Sequence, residues 1–286
     1  MCLVQDQKVA KILSGSKHYS KFERLTQILT ELGTVVVGLS CGVDSTFLAY
    51  VSSAVLGKSN VQCATAVSAS LSSDELELCR EFCLKFDLDF HEVFTNEMQN
   101  PRYLENSSLR CYFCKSELFD QLVPLAEKSR GTIILGVNGD DDPNTRPGQR
   151  AALERGGRFP LREAGIGKVE IREMAKDLGL DTWDKPQSAC LASRIPFGTP
   201  VTIEALSQIQ QAERALKRLG FTQLRARHHG EVVRIEVPYE DLELAFKAKE
   251  EVVAVCKKAG YRFITLDLEG FVSGSFHVRG SQLNTN

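Results

Sequence analysis

TVVVGLSCGVDS, residues 34–45, decides the fold. Three consecutive valines make a strand apolar on both faces, the pattern of a strand inside a parallel sheet. The small residues that follow, Gly38, Ser40, Cys41, Gly42 and Val43, turn the chain into a helix that runs from Asp44 to about Leu56. A loop of small residues between a buried strand and a helix turns backbone N–H groups, and the positive end of the helix, toward an anion. Ser40 and Ser45 add hydroxyl donors for phosphate oxygens. Asp44 repels phosphate, so its place is to hold Mg²⁺ or to cap the helix. By local chemistry alone, an ordinary tight strand–helix turn reads equally well. The lysine of a Walker loop is absent.

Outward from this stretch the chain alternates strands and helices. A helix over 20–32 is stopped by Gly33, and VQCATAVSA (61–69) is the next strand. Ser72 with Glu75 three residues on reads as a capping box. LDFHEVF (88–94) and TIILGVN (132–138) are strands, and 111–129 and 168–179 are helices. This order predicts an α/β protein: a doubly wound, mostly parallel sheet with its ligand site at one sheet edge. PQSACLASRIPFGTP (186–200) breaks the composition with three prolines. Beyond it come a helix (202–219), two strands (222–228 and 231–237), a helix (239–258) and a strand (261–268). The expected division is therefore 1–198 for the α/β domain and 199–286 for a smaller α+β domain.

The 286 residues carry 35 Lys plus Arg against 37 Asp plus Glu, a net charge of −2. That balance argues against a general nucleic-acid binder. With 43% hydrophobic and 25% charged residues, a disordered chain and a collagen are excluded. No apolar run approaches the roughly 18–20 residues of a membrane helix. The polar start, MCLVQDQKVAKIL, does not read as a secretory signal, so the cytoplasm is the expected location.

Nine cysteines stand at 2, 41, 63, 79, 83, 111, 114, 190 and 256. Without a secretion signal they point to metal or redox chemistry rather than disulfides. Cys111 and Cys114 form C-x-x-C at the head of a helix, on one face, where thiolates are stabilised; two half-buried helix cysteines are the plainer reading. Lys115 follows as a possible phosphate contact. Cys190 lies in the proline-bounded loop Lys185–Gly198, with Arg194. Zinc would ask for a fourth ligand, whereas three thiolates match an iron–sulfur cluster with one iron left open. Cys2, Cys63, Cys79, Cys83 and Cys256 read as packing residues. Arg194, Arg225 and Arg227 are candidates for a phosphate or carboxylate. Alternation puts Arg225 and Arg227 on one side of a strand, which is also what a solvated face looks like. Asp140, Asp141 and Asp142 place a metal or are simply solvated, His228 and His229 read as surface residues or minor substrate contacts, and Trp183 as packing.

The 38–45 loop resembles the S-G-G-x-D-S pyrophosphate loop of the ATP pyrophosphatase superfamily, with Cys41 in place of the first glycine. A Cβ there is awkward if the backbone needs a positive φ. The loop KPQSACLASRIPFG (185–198), the acidic NGDDDPNTRPG (138–148), LRAR (224–227), RIEVP (234–238) and GYRFITLDLEGF (260–271) extend the likeness. Over most of residues 20–276 the chain resembles the LarE-type ATP-dependent sulfur transferases.

The resemblance implies an adenine nucleotide α-hydrolase-like fold and cleavage of ATP between its α and β phosphates. It implies adenylation of a carboxylate of pyridinium-3,5-biscarboxylate mononucleotide and its conversion to a thiocarboxylate for a nickel-pincer cofactor. Cys190 matches the family's key cysteine. With Cys111 and Cys114 it implies the subtype with a [4Fe-4S] cluster; the other subtype gives up the sulfur of its single cysteine once and keeps dehydroalanine. Arg225 and Glu213 fall where substrate-site residues lie, and a homo-oligomer, a hexamer, is implied. The rival readings are a tRNA-thiolating enzyme of the same superfamily, which would want a basic tract, an amidating ligase, which leaves the cysteines without a role, and a non-enzymatic iron–sulfur or zinc protein, which leaves the loop unexplained.

Overall fold

Val35, Val36 and Val37 are all fully buried, and they divide between two cores. Val35 and Val37 pack with Phe22, Leu29, Phe47 and Met174. Val36 packs with Phe119, Leu122 and Ile133. Successive strand residues face opposite sides, so a continuous valine run demands helices on both faces of its sheet.

The computed structural model describes residues 6–141 and 146–272; Cys2 and Asp142 lie outside them. In chain order the elements begin α1 (Gln7–Ser14), α2 (Tyr19–Leu32), β1 (Val35–Gly38), α3 (Val43–Leu56), β2 (Val61–Val67), α4 (Ser73–Phe86) and β3 (Asp89–Phe94). Then come α5 (Pro101–Leu104), α6 (Arg110–Ser129), β4 (Thr132–Leu135), α7 (Pro147–Glu154), α8 (Pro160–Glu163) and α9 (Lys168–Asp177). The four strands pair in parallel in the order β3-β2-β1-β4. The doubly wound α/β fold expected from the sequence is the fold observed. The chain leaves β1 toward β2 and later returns to β1's other side with β4. The strand order therefore reverses beside β1, and crevices beyond the carboxyl ends of strands form at such a point.

β4 is shorter than TIILGVN suggests. Gly136 ends it by closing on the start of α3: a Cβ there would lie 2.7 Å from the Ser45 nitrogen and 2.9 Å from the Asp44 carbonyl carbon. The Ser72–Glu75 capping box is not made. Ser72 is the N-cap residue without a side-chain cap bond, because Glu75 turns to Lys185 and Ser188 instead.

The chain forms two compact units that part between Ser188 and Ala189. One unit is the chain up to Tyr103 with Ser108–Ser188; the other is Leu104–Ser107 with the chain from Ala189 onward. Asn106 ties Leu104–Ser107 to the second unit, donating to the carbonyls of Pro196 and Thr199 at 2.8 Å each. The second unit contains α10 (Ile203–Arg218), β5 (Arg225–His229), β6 (Val232–Glu236), α11 (Leu242–Lys247), α12 (Lys249–Lys258) and β7 (Phe263–Leu266). β5 is antiparallel to β6 and β7 parallel to it. Ala212, Leu216, Phe221, Ala226, Val233, Ile235 and Cys256 form its core. The helix expected over 239–258 is interrupted at Ala248, between α11 and α12. Among the described residues no helix is long and apolar enough to cross a membrane.

Candidate functional site: the phosphate loop and the cysteines

β1 ends at Gly38, and the chain reaches α3 through one left-handed residue. Cys41 has φ +54°, a conformation that costs a non-glycine residue roughly 1–2 kcal/mol. Its buried side chain is held from below: a hydrogen bond with Cys79 of α4 and burial push the Cys41 thiol up, while the same bond pulls Cys79 down. Cys63, Cys79, Cys83 and Cys256 are buried as packing residues.

The turn is braced inside as well. Ser45 Oγ accepts from the Ser40 nitrogen (3.2 Å), donates to the Gly42 carbonyl (3.1 Å) and meets Ser40 Oγ at 3.1 Å. Ser45 is buried and Ser40 is exposed, so the two hydroxyls do different work: Ser45 shapes the loop and Ser40 faces outward. The first backbone N–H groups of α3, at Val43, Asp44 and Ser45, have no partners within the helix.

Asp44 accepts from Asn138 Nδ2 at 3.2 Å, and Lys168 Nζ sits at 2.9 and 2.8 Å from its two oxygens. Mg²⁺ asks for one or two carboxylates plus phosphate oxygens; Asp44 is a carboxylate beside the loop, with both oxygens held by Lys168. The acidic loop is not a bare metal nest. Asp140 accepts from the Lys168 backbone nitrogen at 2.6 Å, and Asp141 pairs with Arg146 at 2.7 Å. Lys185 Nζ donates to the Cys41 carbonyl (3.0 Å) and pairs with Glu75 (2.7 Å), which also accepts from Ser188 (2.9 Å). Thr46 and Thr182 hydroxyls meet at 2.7 Å. The segment 182–188 is thus tied to α3 through Thr46, to the loop through Lys185 and to α4 through Glu75.

Cys111 and Cys114 occupy the first turn of α6, the former exposed and the latter half-buried, and Lys115 is half-buried beside them. Gly148 lets α7 close on that turn: a Cβ would lie 3.1 Å from the Cys111 carbonyl oxygen. Two thiols three residues apart at a helix N-terminus fit two corners of a cluster. Cys190, exposed, belongs to the other unit and precedes the 3₁₀ turn Leu191–Arg194. Among the described residues no three His, Cys, Asp or Glu side chains are gathered into a metal-holding group.

Residues 21–103 match the NAD synthase family. An uncharacterized protein of Synechocystis sp. (slr1717) is 44% identical over 261 residues, 90% of this chain and 97% of its own length. The pyridinium-3,5-bisthiocarboxylic acid mononucleotide synthase of Lactiplantibacillus plantarum is 30% identical over 256 residues, 89% of this chain and 93% of that protein. The chain belongs to the LarE-type family. An uncharacterized Methanocaldococcus jannaschii protein (MJ0830) is 27% identical over 236 residues, 82% of this chain and 89% of that one.

In this LarE-type chain the arginines named from sequence do not share one role. Arg194 is 3% exposed. Its Nε and Nη2 grip Glu213 at 2.8 and 2.9 Å, and Nη1 reaches the carbonyls of Ala189 (2.6 Å) and Cys190 (3.1 Å) and Ser193 Oγ (2.9 Å). Glu213 Oε1 also accepts from the Ala226 nitrogen at 3.0 Å. Arg227 is buried too, pairing with Glu236 at 2.8 Å and donating to the Ser193 carbonyl at 3.0 Å. Arg194, Glu213 and Arg227 therefore clamp the turn that carries Cys190.

Arg225, on the same face of β5 as Arg227, is only half-buried. It donates to the Leu224 carbonyl at 2.8 Å and lies over the Phe271 ring at 4.9 Å. Burial pushes its pKa down to about 10, with Arg194 and Arg227 adding to the effect. Nearby, Arg234 pairs with Glu236 at 3.1 Å and with Asp267. His228, read as a surface residue, is buried on Tyr261 with its ring nitrogen 3.2 Å from the hydroxyl, and burial pulls its pKa down. Sequence reading missed Lys168 altogether and gave Glu75 only a place in a capping box. The only signal for Lys168 was its place at the start of a helix just beyond the acidic loop.

Proposed function

We propose that this chain is an ATP-dependent sulfur transferase that adenylates a carboxylate of pyridinium-3,5-biscarboxylate mononucleotide and converts it to a thiocarboxylate for a nickel-pincer cofactor. The observation that carries this reading is the left-handed turn at Cys41, which opens the leading N–H groups of α3 at the sheet's reversal point. The likeness to the Lactiplantibacillus plantarum synthase supports the substrate class.

In this mechanism Gly38, Ser40, Gly42 and the first turn of α3 hold the β and γ phosphates. A substrate carboxylate oxygen attacks the α-phosphorus. The bond to the bridging oxygen breaks, and pyrophosphate leaves with the electron pair. The loop's N–H groups stabilise the charge that builds on that leaving group, and Asp44 would hold Mg²⁺ with the phosphate oxygens. A sulfide then adds to the acyl carbon, the C–O bond to AMP breaks, and a thiocarboxylate remains. A [4Fe-4S] cluster on Cys111, Cys114 and Cys190 would supply that sulfide from its open iron. In the alternative, Cys190 gives its own sulfur once. Arg225 binds the substrate's phosphate or free carboxylate, and Lys115 is a second anion contact. Arg194, Arg227 and Glu213 keep the Cys190 turn in place.

Pyrophosphate–ATP exchange tests the first step. Labelled pyrophosphate should enter ATP only when the mononucleotide is present, and its failure to do so would remove the adenylation step. Iron and acid-labile sulfide measured on anaerobically purified protein, beside Cys111→Ala, test the cluster. Loss of H₂S from the Cys190 peptide after one turnover would select the single-use route instead.

A further inference from the structure

Both oxygens of Asp44, the proposed Mg²⁺ carboxylate, are already occupied by a cation. Lys168 Nζ lies 2.9 Å from Oδ1 and 2.8 Å from Oδ2. The carboxylate is mostly buried, with a side chain 17% exposed, so solvent screens the pair only partly. The backbone under Lys168 is fixed. Its nitrogen donates to Asp140 at 2.6 Å, and the residue before it, Gly167, donates to the Glu170 carboxylate at 2.7 Å at the start of α9. Only the four-carbon stem of Lys168 is left to move. An ammonium seated across both oxygens competes with a divalent cation for this carboxylate and repels it. An incoming polyphosphate changes the balance: it brings several negative charges to the loop beside Asp44, and a lysine displaced from Asp44 finds a new partner there.

We propose that Lys168 is an exchangeable counter-ion: it neutralises Asp44 while the loop is empty and moves onto the polyphosphate when a divalent cation arrives with the nucleotide. This rests on the proposed nucleotide site. It makes metal and nucleotide binding mutually dependent, and it keeps the loop from collecting metal alone. The exchange moves charges and breaks no covalent bond. Lys168 is a positioning residue by this account until it touches phosphate.

Mn²⁺ is the probe, read by the loss of the free ion's magnetic resonance signal, with α,β-methylene-ATP as the uncleavable nucleotide. Wild-type protein should take up Mn²⁺ weakly alone and at least about tenfold more tightly with the nucleotide, within the usual range of coupling between sites. Lys168→Met should bind Mn²⁺ without nucleotide at least about tenfold more tightly than wild type and should bind the nucleotide more weakly. Lys168→Arg should stay close to wild type in the absence of nucleotide. Adding Asp44→Asn to Lys168→Met should remove the new metal binding.

If Lys168→Met gains no affinity for Mn²⁺ alone, the ammonium does not guard the carboxylate. Unchanged nucleotide affinity in the same variant would show that Lys168 never moves to phosphate. Should Lys168→Met fail to fold, Lys168→Gln replaces it, and the coupling in wild type is decisive by itself, since its absence overturns the proposal. If wild type binds no nucleotide even with Mn²⁺, the proposed function falls, whereas the metal-only comparison still judges the guarding of Asp44.

Discussion

The phosphate loop and the Cys190 turn are both short, tight and functional in the reading above, and they are built by opposite means. The loop is shaped by its own chain: a left-handed Cys41, a buried Ser45 hydroxyl and the head of α3. Its working groups are backbone N–H groups, present in any sequence that adopts the turn. The Cys190 turn is shaped from outside, by the side chains of Arg194 and Arg227 anchored on Glu213 and Glu236. In the first region the charged side chains pair at a partly exposed site beside the open N–H groups, Lys168 with Asp44. In the second they are spent on the protein. An arginine near a reactive cysteine is thus no evidence of a ligand contact until its hydrogen bonds are counted.

The sharpest way to break this contrast is Arg194→Met. It leaves Glu213 buried without its partner, and removing one member of a buried pair costs about 3–5 kcal/mol. Urea unfolding should show that loss, and adding Glu213→Gln should restore part of it. A loss under about 1 kcal/mol, as for a surface pair, would mean the clamp is not structural.

Gly136→Ala tests the loop's outer support. Its methyl would enter the backbone of Asp44 and Ser45, at an expected cost of about 1–3 kcal/mol, with a matching fall in pyrophosphate exchange. Normal exchange would show that α3 can shift without harm. Comparing Cys41→Gly with Cys41→Ala isolates the backbone. Both lose the thiol, but only alanine keeps the left-handed strain, so the glycine variant should be the more stable by about 1 kcal/mol. Equal stabilities would remove the strain from the account.

The smallest expected effect concerns His228. Burial lowers its pKa, so the neutral ring is the form that fits. Its contribution is full above the unfolded value of about 6.5 and is lost as the pH falls below it. Thermal melts from about pH 8 down to about pH 5 should therefore decline more steeply for wild type than for His228→Gln. Parallel declines would place the acid sensitivity elsewhere.

Much of this arrangement was legible in the sequence because it is local. The valine run, the small residues after it and the helix that follows are consecutive, and each favours the same geometry. C-x-x-C at the head of α6 was legible for the same reason. The Ser72–Glu75 capping box was a local inference that failed, because Glu75 found stronger partners in Lys185 and Ser188, 110 and 113 positions away. The bonds from Asn106 to the carbonyls of Pro196 and Thr199 reach 90 and 93 positions along the chain, and no local pattern marks them.

By itself, the sequence determined the strand–loop–helix that opens backbone donors at the carboxyl end of a parallel strand, and the C-x-x-C at the head of a helix. Both follow from short-range sterics and from which residues can be buried. Only the tertiary structure decided what the charged side chains do. Asp44 meets Lys168 across 124 positions, and Arg194 turns from a candidate ligand contact into a clamp. Pairing of long charged side chains depends on distance in space and on burial, and neither is written along the chain.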